Sequence, residues 1–175
     1  MRVRTTYLEM GSPEALKPSS RAPEDVRMVK VDTPSPELNR FLYSAVGGAW
    51  HWRDRLPWTR TRWMEWLERP EVETWVAYRA GAPAGYFELE GQDGDAVEIA
   101  YLGILPGFEG QGLGGYLVTQ AVRRAFSMRP GVDRVWLHTC TLDHPGALPN
   151  YLNRGFVIFK EEEADVTLPG AEPAG

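Results

Sequence analysis

A chain of 175 residues, 43% hydrophobic and 25% charged, has the make-up of one soluble globular unit around a single core. Its 24 acidic residues outnumber 19 basic ones, for a formal net charge of −5; this offers no basic patch for nucleic acid and slightly favours cationic small molecules. Cys140 is the only cysteine, which excludes an intrachain disulfide and a multi-cysteine zinc site, so no metal centre is expected. With no run of about 18 apolar residues and no apolar signal segment in Met1 to Met10, the expectation is a cytoplasmic protein without membrane contact.

In chain order, Val3 to Met10 reads as a first strand. Gly11 to Glu24 carries Pro13, Pro18 and Pro23 and reads as a loop with at most one helical turn at Pro13 to Leu16. A second strand is expected near Val26 to Val31. Asp32-Thr33-Pro34-Ser35-Pro36 then supplies cap residues for a helix over Glu37 to Val46, where Leu38, Leu42 and Tyr43 fall at helical spacing. The tryptophan-dense stretch Trp50 to Trp66 contains a second helix at Thr59 to Leu67, with Thr59 or Thr61 as its cap.

After Arg69-Pro70 the period changes to two. Thr74 to Arg79, a turn at Ala80 to Pro83, Ala84 to Glu90, a turn at Gly91 to Gly94, and Ala96 to Leu105 predict a three-stranded antiparallel meander. From Gly112 to Phe126, Leu113, Leu117, Val118, Ala121, Val122 and Ala125 make a wide apolar stripe, hence a largely buried helix. Val132 to Thr139 is a strand, Pro145 to Asn153 a short helix and Phe156 to Glu162 a last strand. The Pro, Gly and Ala residues from Leu168 to Gly175 predict a disordered tail behind a unit spanning residues 1–167.

The segment that carries chemistry runs from Glu98 through Leu102-Gly103-Ile104-Leu105-Pro106 into Glu109-Gly110-Gln111-Gly112-Leu113-Gly114-Gly115: a strand, a proline turn and a glycine cluster opening the buried helix. Glycines let a ligand approach the backbone, and the first N–H groups of a helix are unpartnered at its positive end, a place suited to phosphate; glycines equally permit tight helix–strand packing. Gly110, Gly112 and Gly115 also match G-x-G-x-x-G, with Asp143 as a conceivable ribose-binding acid. Against a dinucleotide fold, Pro106-Gly107-Phe108-Glu109 separate strand from glycines, and too few strands follow. The Gly-Lys-Ser/Thr ending of a phosphate-binding Walker loop is missing.

Together with Ala147-Leu148-Pro149-Asn150-Tyr151-Leu152-Asn153-Arg154-Gly155-Phe156, this segment resembles the two signature regions of the GNAT acetyltransferase superfamily, over roughly residues 74–162. The resemblance implies an α/β fold: a mixed, mostly antiparallel sheet of six or seven strands with splayed central strands, flanked by about four helices. It implies acetyl-CoA as donor, with its pantetheine arm between the splayed strands against the backbone of Leu102, Gly103 and Ile104. The diphosphate would rest on Gly110, Gln111, Gly112, Leu113, Gly114 and Gly115. Glu109 stands where the family pattern has Gln or Arg, and is expected to point away from it.

The resemblance further places a proton acceptor for the amine at Glu98 and a proton donor for the leaving thiolate at Tyr151; the plain alternatives are a solvent-facing strand carboxylate and a packed helix aromatic. A carboxylate partly buried between Val97 and Ile99 would have a raised pKa. His144 takes the place of an asparagine near the pantetheine, and Cys140 reads as inert packing. For the acceptor, Tyr43, Trp50, His51, Trp52 and Trp58 offer aromatic walls for an apolar or cationic amine, with His138 lining the site or satisfied in the core; Trp63, Trp66 and Trp75 read as core. The resulting expectation is N-acyl transfer from acetyl-CoA to a small-molecule or peptide amine in a ternary complex, with a homodimer possible. The alternatives are a CoA-binding regulator without turnover and, further off, a dinucleotide-dependent oxidoreductase.

Overall fold

A computed structural model describes residues 1–168 of the chain, so the tail expected from Leu168 onward lies, from 169, outside the described residues. Seven strands and four helices are present among them: β1 (Arg2–Met10), β2 (Val26–Lys30), α1 (Pro36–Gly47), α2 (Arg60–Leu67), β3 (Val72–Arg79), β4 (Ala82–Gln92), β5 (Ala96–Ile104), α3 (Leu113–Ser127), β6 (Arg134–Cys140), α4 (Ala147–Asn153) and β7 (Val157–Asp165). The seven strands form one sheet in the order β2-β3-β4-β5-β6-β1-β7. Every pairing is antiparallel except β5 with β6.

Local chemistry sets the helix starts. The Ser35 side chain accepts from the Leu38 amide at 3.3 Å and Pro36 opens α1, while Thr59 caps α2 through the Arg62 amide, each satisfying an amide with no partner inside the helix. Alternation then sends β4 to both faces. Phe87 and Leu89 join the α3 side with Leu117, Val118, Ala121 and Val122, and Tyr86 joins Leu42, Val46 and Val76 on the α1 side. A strand covered on both faces is apolar almost throughout, yet Glu88 sits in this one at 1% exposure.

The elements fall where the hydrophobic periods predict, with their ends shifted. The turn expected at Ala80 to Pro83 tightens to Ala80 and Gly81, both at positive φ (49° and 83°), and Pro83 enters the strand beside a bulge at Ala77/Tyr78. The last strand starts at Val157 and runs past Glu162 to Asp165, because β1 extends to Arg2 and pairs with it, Arg2 and Arg4 both bridging to Glu163. The N-terminal strand lies between β6 and β7, a position that no local pattern announces.

Candidate active site

The parallel strands β5 and β6 pair only over Ala96–Glu98 and Arg134–Trp136, then part as β5 continues to Ile104 and β6 to Cys140. Glu98 and Trp136 are the last pair before this opening. A cavity of about 480 Å³ occupies it, reaching from the aromatic side chains of α1 and the loop after it to the glycines before α3.

On the β5 side the wall is Leu102, Gly103 and Ile104. A Cβ on Gly103 would run into Val46 of α1 and close on the Trp52 ring, so only glycine lets strand and helix meet here. At the far end Gly110, Gly112, Leu113, Gly114 and Gly115 line the cavity. Gly112 is the N-cap of α3 at φ 77° and offers no side-chain cap; the first amides of this 15-residue helix thus lack a cap side chain at the positive end of its dipole.

Tyr43, Trp52, His138, His144 and Tyr151 also face this cavity, as do Trp50 and His51. His144 Nδ1 accepts from the Gly146 amide at 2.9 Å, and its ring meets Trp50 edge-on at 5.0 Å between centroids. Tyr151, on α4, is buried; burial first, and the charge of Asp143 second, hold its hydroxyl above the usual tyrosine range, so it keeps its proton at neutral pH.

Glu98 is set behind the cavity wall, its side chain 16% exposed, with its Oε1 3.9 Å from His138 Nε2. Its Oε2 accepts from Gln92 Nε2 at 2.9 Å, and Gln92 Oε1 accepts in turn from Trp136 Nε1 at 2.9 Å. Burial foremost, then the nearby Glu90 carboxylate, raise its pKa to about 7, against the opposing Gln92 hydrogen bond. The carboxylate therefore exchanges a proton near neutrality, as a group that takes a proton from an amine needs to.

Two expectations are corrected. Trp58 is not part of the cavity: its ring packs edge-on against Trp63 at 5.0 Å and lies between the guanidinium groups of Arg55 and Arg62, each 4.7 Å from its centroid. Gln111 turns away from the glycine cradle, its Oε1 accepting from Arg79 Nη1 and its Nε2 donating to the Gly107 carbonyl. Glu109 is an exposed residue among those lining the cavity.

Sequence reasoning weighed Asp143 only as a ribose-binding acid and missed the Arg55–Glu88 pair. Asp143 ties the loop after β6 to the far wall, accepting from Thr139 Oγ1 and the Cys140 amide with one oxygen and from Trp52 Nε1 at 3.4 Å with the other. Arg55 and Glu88 form a bidentate pair, both contacts 2.7 Å, beneath the aromatic end of the cavity. Burial works against the Arg55 charge, but Glu88 more than offsets this and holds its pKa above the usual value. The sequence did hold a signal, a lone carboxylate in the apolar run Tyr86 to Leu89, which requires a buried cation.

A family model described as Acetyltransferase (GNAT) family matches residues 37–156, which span the cavity's walls from α1 to α4. The chain belongs to this family. Among solved structures, this GNAT chain resembles a GCN5-related N-acetyltransferase from Kribbella flavida (21% identity, TM-score 0.62, 89% of this chain and 54% of that one). It also resembles one from Sphaerobacter thermophilus (20%, 0.62, 91% and 49%), and an aminoglycoside acetyltransferase from an uncultured soil metagenomic sample (14%, 0.61, 74% and 87%). At these identities the likeness is one of fold, and the chain spans about half the length of the first two. None of the curated proteins compared with it matches. Seven strands, mostly antiparallel, with four helices and a parted β5/β6 pair are the GNAT architecture. No helix among the described residues is long and apolar enough to cross a membrane.

Proposed function

We propose that this GNAT chain transfers an acetyl group from acetyl-CoA to a primary amine. The observation that carries the reading is the continuity of one cavity from the glycines at the N-terminus of α3, through the opening between β5 and β6, to the aromatic side chains of α1. The residues fit the donor: a glycine cradle at unpartnered helix amides suits a diphosphate, and a strand edge freed from its neighbour beyond Glu98 suits an arm that pairs like a strand. When bound, the donor supplies the thioester carbon and its thiolate leaving group.

The chain's own residues do the rest. Leu102 and Ile104 present backbone groups that orient the arm. Glu98 accepts the proton of the incoming ammonium, reached past His138, and Tyr151 holds the proton that the departing sulfur receives. Tyr43, Trp52 and Tyr101, with ring centroids 4.9 to 5.6 Å apart, form a wall for an apolar or cationic amine. Replacing Tyr151 with Phe is expected to lower kcat about 10²-fold while leaving acetyl-CoA affinity unchanged, measured by release of free thiol and by calorimetry.

The decisive experiment is calorimetric titration with acetyl-CoA, CoA and NAD, followed by a thiol-release screen across amines. Acetyl-CoA binding with turnover on an amine supports the proposal. Binding without turnover on any amine favours a regulatory CoA-binding role, a reading to which the Glu109 carboxylate on the cavity wall lends weight. A preference for NAD overturns both.

A further inference from the structure

The connection between β1 and β2 is not a free loop. The Lys17 amide donates to the Arg154 carbonyl at 2.8 Å, the Ser19 amide donates to Thr119 Oγ1 of α3 at 3.0 Å, and Asp25 pairs with Arg79 at 2.9 Å. Leu16 packs onto the main core. So fastened, the strap delivers Arg21, whose backbone amide donates to Ser19 Oγ at 3.2 Å, to the glycine cradle. Arg21 Nη1 stands 2.6 Å from where a Cβ of Gly112 would lie, and Arg154 Nη1 stands 2.9 Å from that of Gly115.

Two guanidinium groups thus flank the amide-rich start of α3. Among the described residues neither is ion-paired, and Arg154 Nε is buried without a hydrogen-bond partner. Such a group is costly unless something supplies an acceptor. Like charges gathered at the positive end of a helix oppose one another and the dipole, an arrangement that an anion between them reverses. In a chain with net charge −5 and an acidic Glu109 on the cradle, the cations must come from elsewhere in the fold.

We infer that Arg21 and Arg154 form a cationic rim on the glycine cradle and bind the phosphate groups of the donor, the N-terminal strap supplying the charge that Glu109 does not. This rests on the donor reading above. The planar fork of each guanidinium matches phosphate oxygens, and the strap makes donor binding depend on a segment outside the residues that the family model matches.

The test compares the full chain with its Arg21→Gln, Arg154→Gln and Arg21→Lys variants, titrated with acetyl-CoA, dephospho-CoA and phosphate-free S-acetylpantetheine, with inorganic pyrophosphate followed by thermal shift. Arg21 is exposed, so its variants are expected to fold. Each Gln variant should weaken acetyl-CoA binding about tenfold, one charge-assisted contact's worth, leave S-acetylpantetheine unchanged and reduce the stabilisation by pyrophosphate; Arg21→Lys, which keeps the charge without the fork, should restore only part of the loss. A loss that persists with dephospho-CoA assigns the diphosphate, and one that disappears assigns the 3′-phosphate. Equal losses for both thioesters, or none, overturn the rim. Arginine-dependent pyrophosphate binding without acetyl-CoA binding overturns the donor reading and leaves the rim standing; binding of neither ligand overturns both.

Discussion

Replacing Glu98 with Gln is expected to lower kcat by about 10³-fold with little change in acetyl-CoA affinity, because the side chain lies behind the wall near His138 and away from the glycines. In the unaltered chain kcat should rise as pH increases through about 7, where Glu98 loses its proton; in the variant that rise should vanish. The group is faced by Glu90 and Glu88 of β4, by Gln92, by Arg55 and by His138, and Tyr151, held above the usual range, stays protonated across this window. Linkage supplies a second readout. A carboxyl whose folded pKa is raised binds its proton more tightly in the folded state, so it destabilises the fold as pH climbs from the unfolded value near 4.5 to about 7. Glu98→Gln should therefore gain thermal stability relative to the parent at pH 8 and gain none at pH 4, as seen in melting curves. Loss of activity together with gain of stability separates a working base from a carboxylate that merely holds structure; unchanged kcat would remove Glu98 from the mechanism.

The largest stability loss should come from breaking the Arg55–Glu88 pair. Its side chains are 7% and 1% exposed, Trp66 Nε1 donates to Glu88 Oε1 at 3.0 Å, and the Arg55 guanidinium lies within 4.5 to 5.4 Å of the ring centroids of Tyr101, Trp58, Trp66 and Trp63. Glu88→Gln strands that cation in a low-dielectric shell, at a cost of about 3–5 kcal/mol. For a domain of this size the melting temperature should fall on the order of 10 °C. The double variant Arg55→Met/Glu88→Leu, which removes both charges, should lose less than the single one. A single variant that melts like the parent would show that the pair contributes nothing. The Arg55 backbone amide donates to Tyr43 Oη at 3.2 Å, so the pair also braces the wall proposed for the acceptor, and acceptor KM should rise in the single variant.

The sequence by itself determined the element order and, through its two motifs, the family. Period-two runs produced the β3-β4-β5 meander, the wide apolar stripe produced α3, and the glycines before it marked where that helix begins at the cavity, because these signals lie within a few consecutive residues whose geometry is fixed locally. Two spaced motifs singled out Glu98 and Tyr151, and the fold sets one at the last β5–β6 pair before the opening and the other on the cavity wall. What only the tertiary structure decided involves residues far apart in the chain. Trp58 and Trp52 read alike in an aromatic stretch, yet one is held by Arg55 and Arg62 and the other reaches Asp143 across 91 residues. The partner of Glu88 lies 33 residues away, and the seat of β1 between β6 and β7 brings residues 2–10 against 134–165. Periodicity reports which face of an element is buried and not what buries it. The pairing of charges and the strap that carries Arg21 to Gly112 are set by chain reversal and packing, which no local spacing encodes.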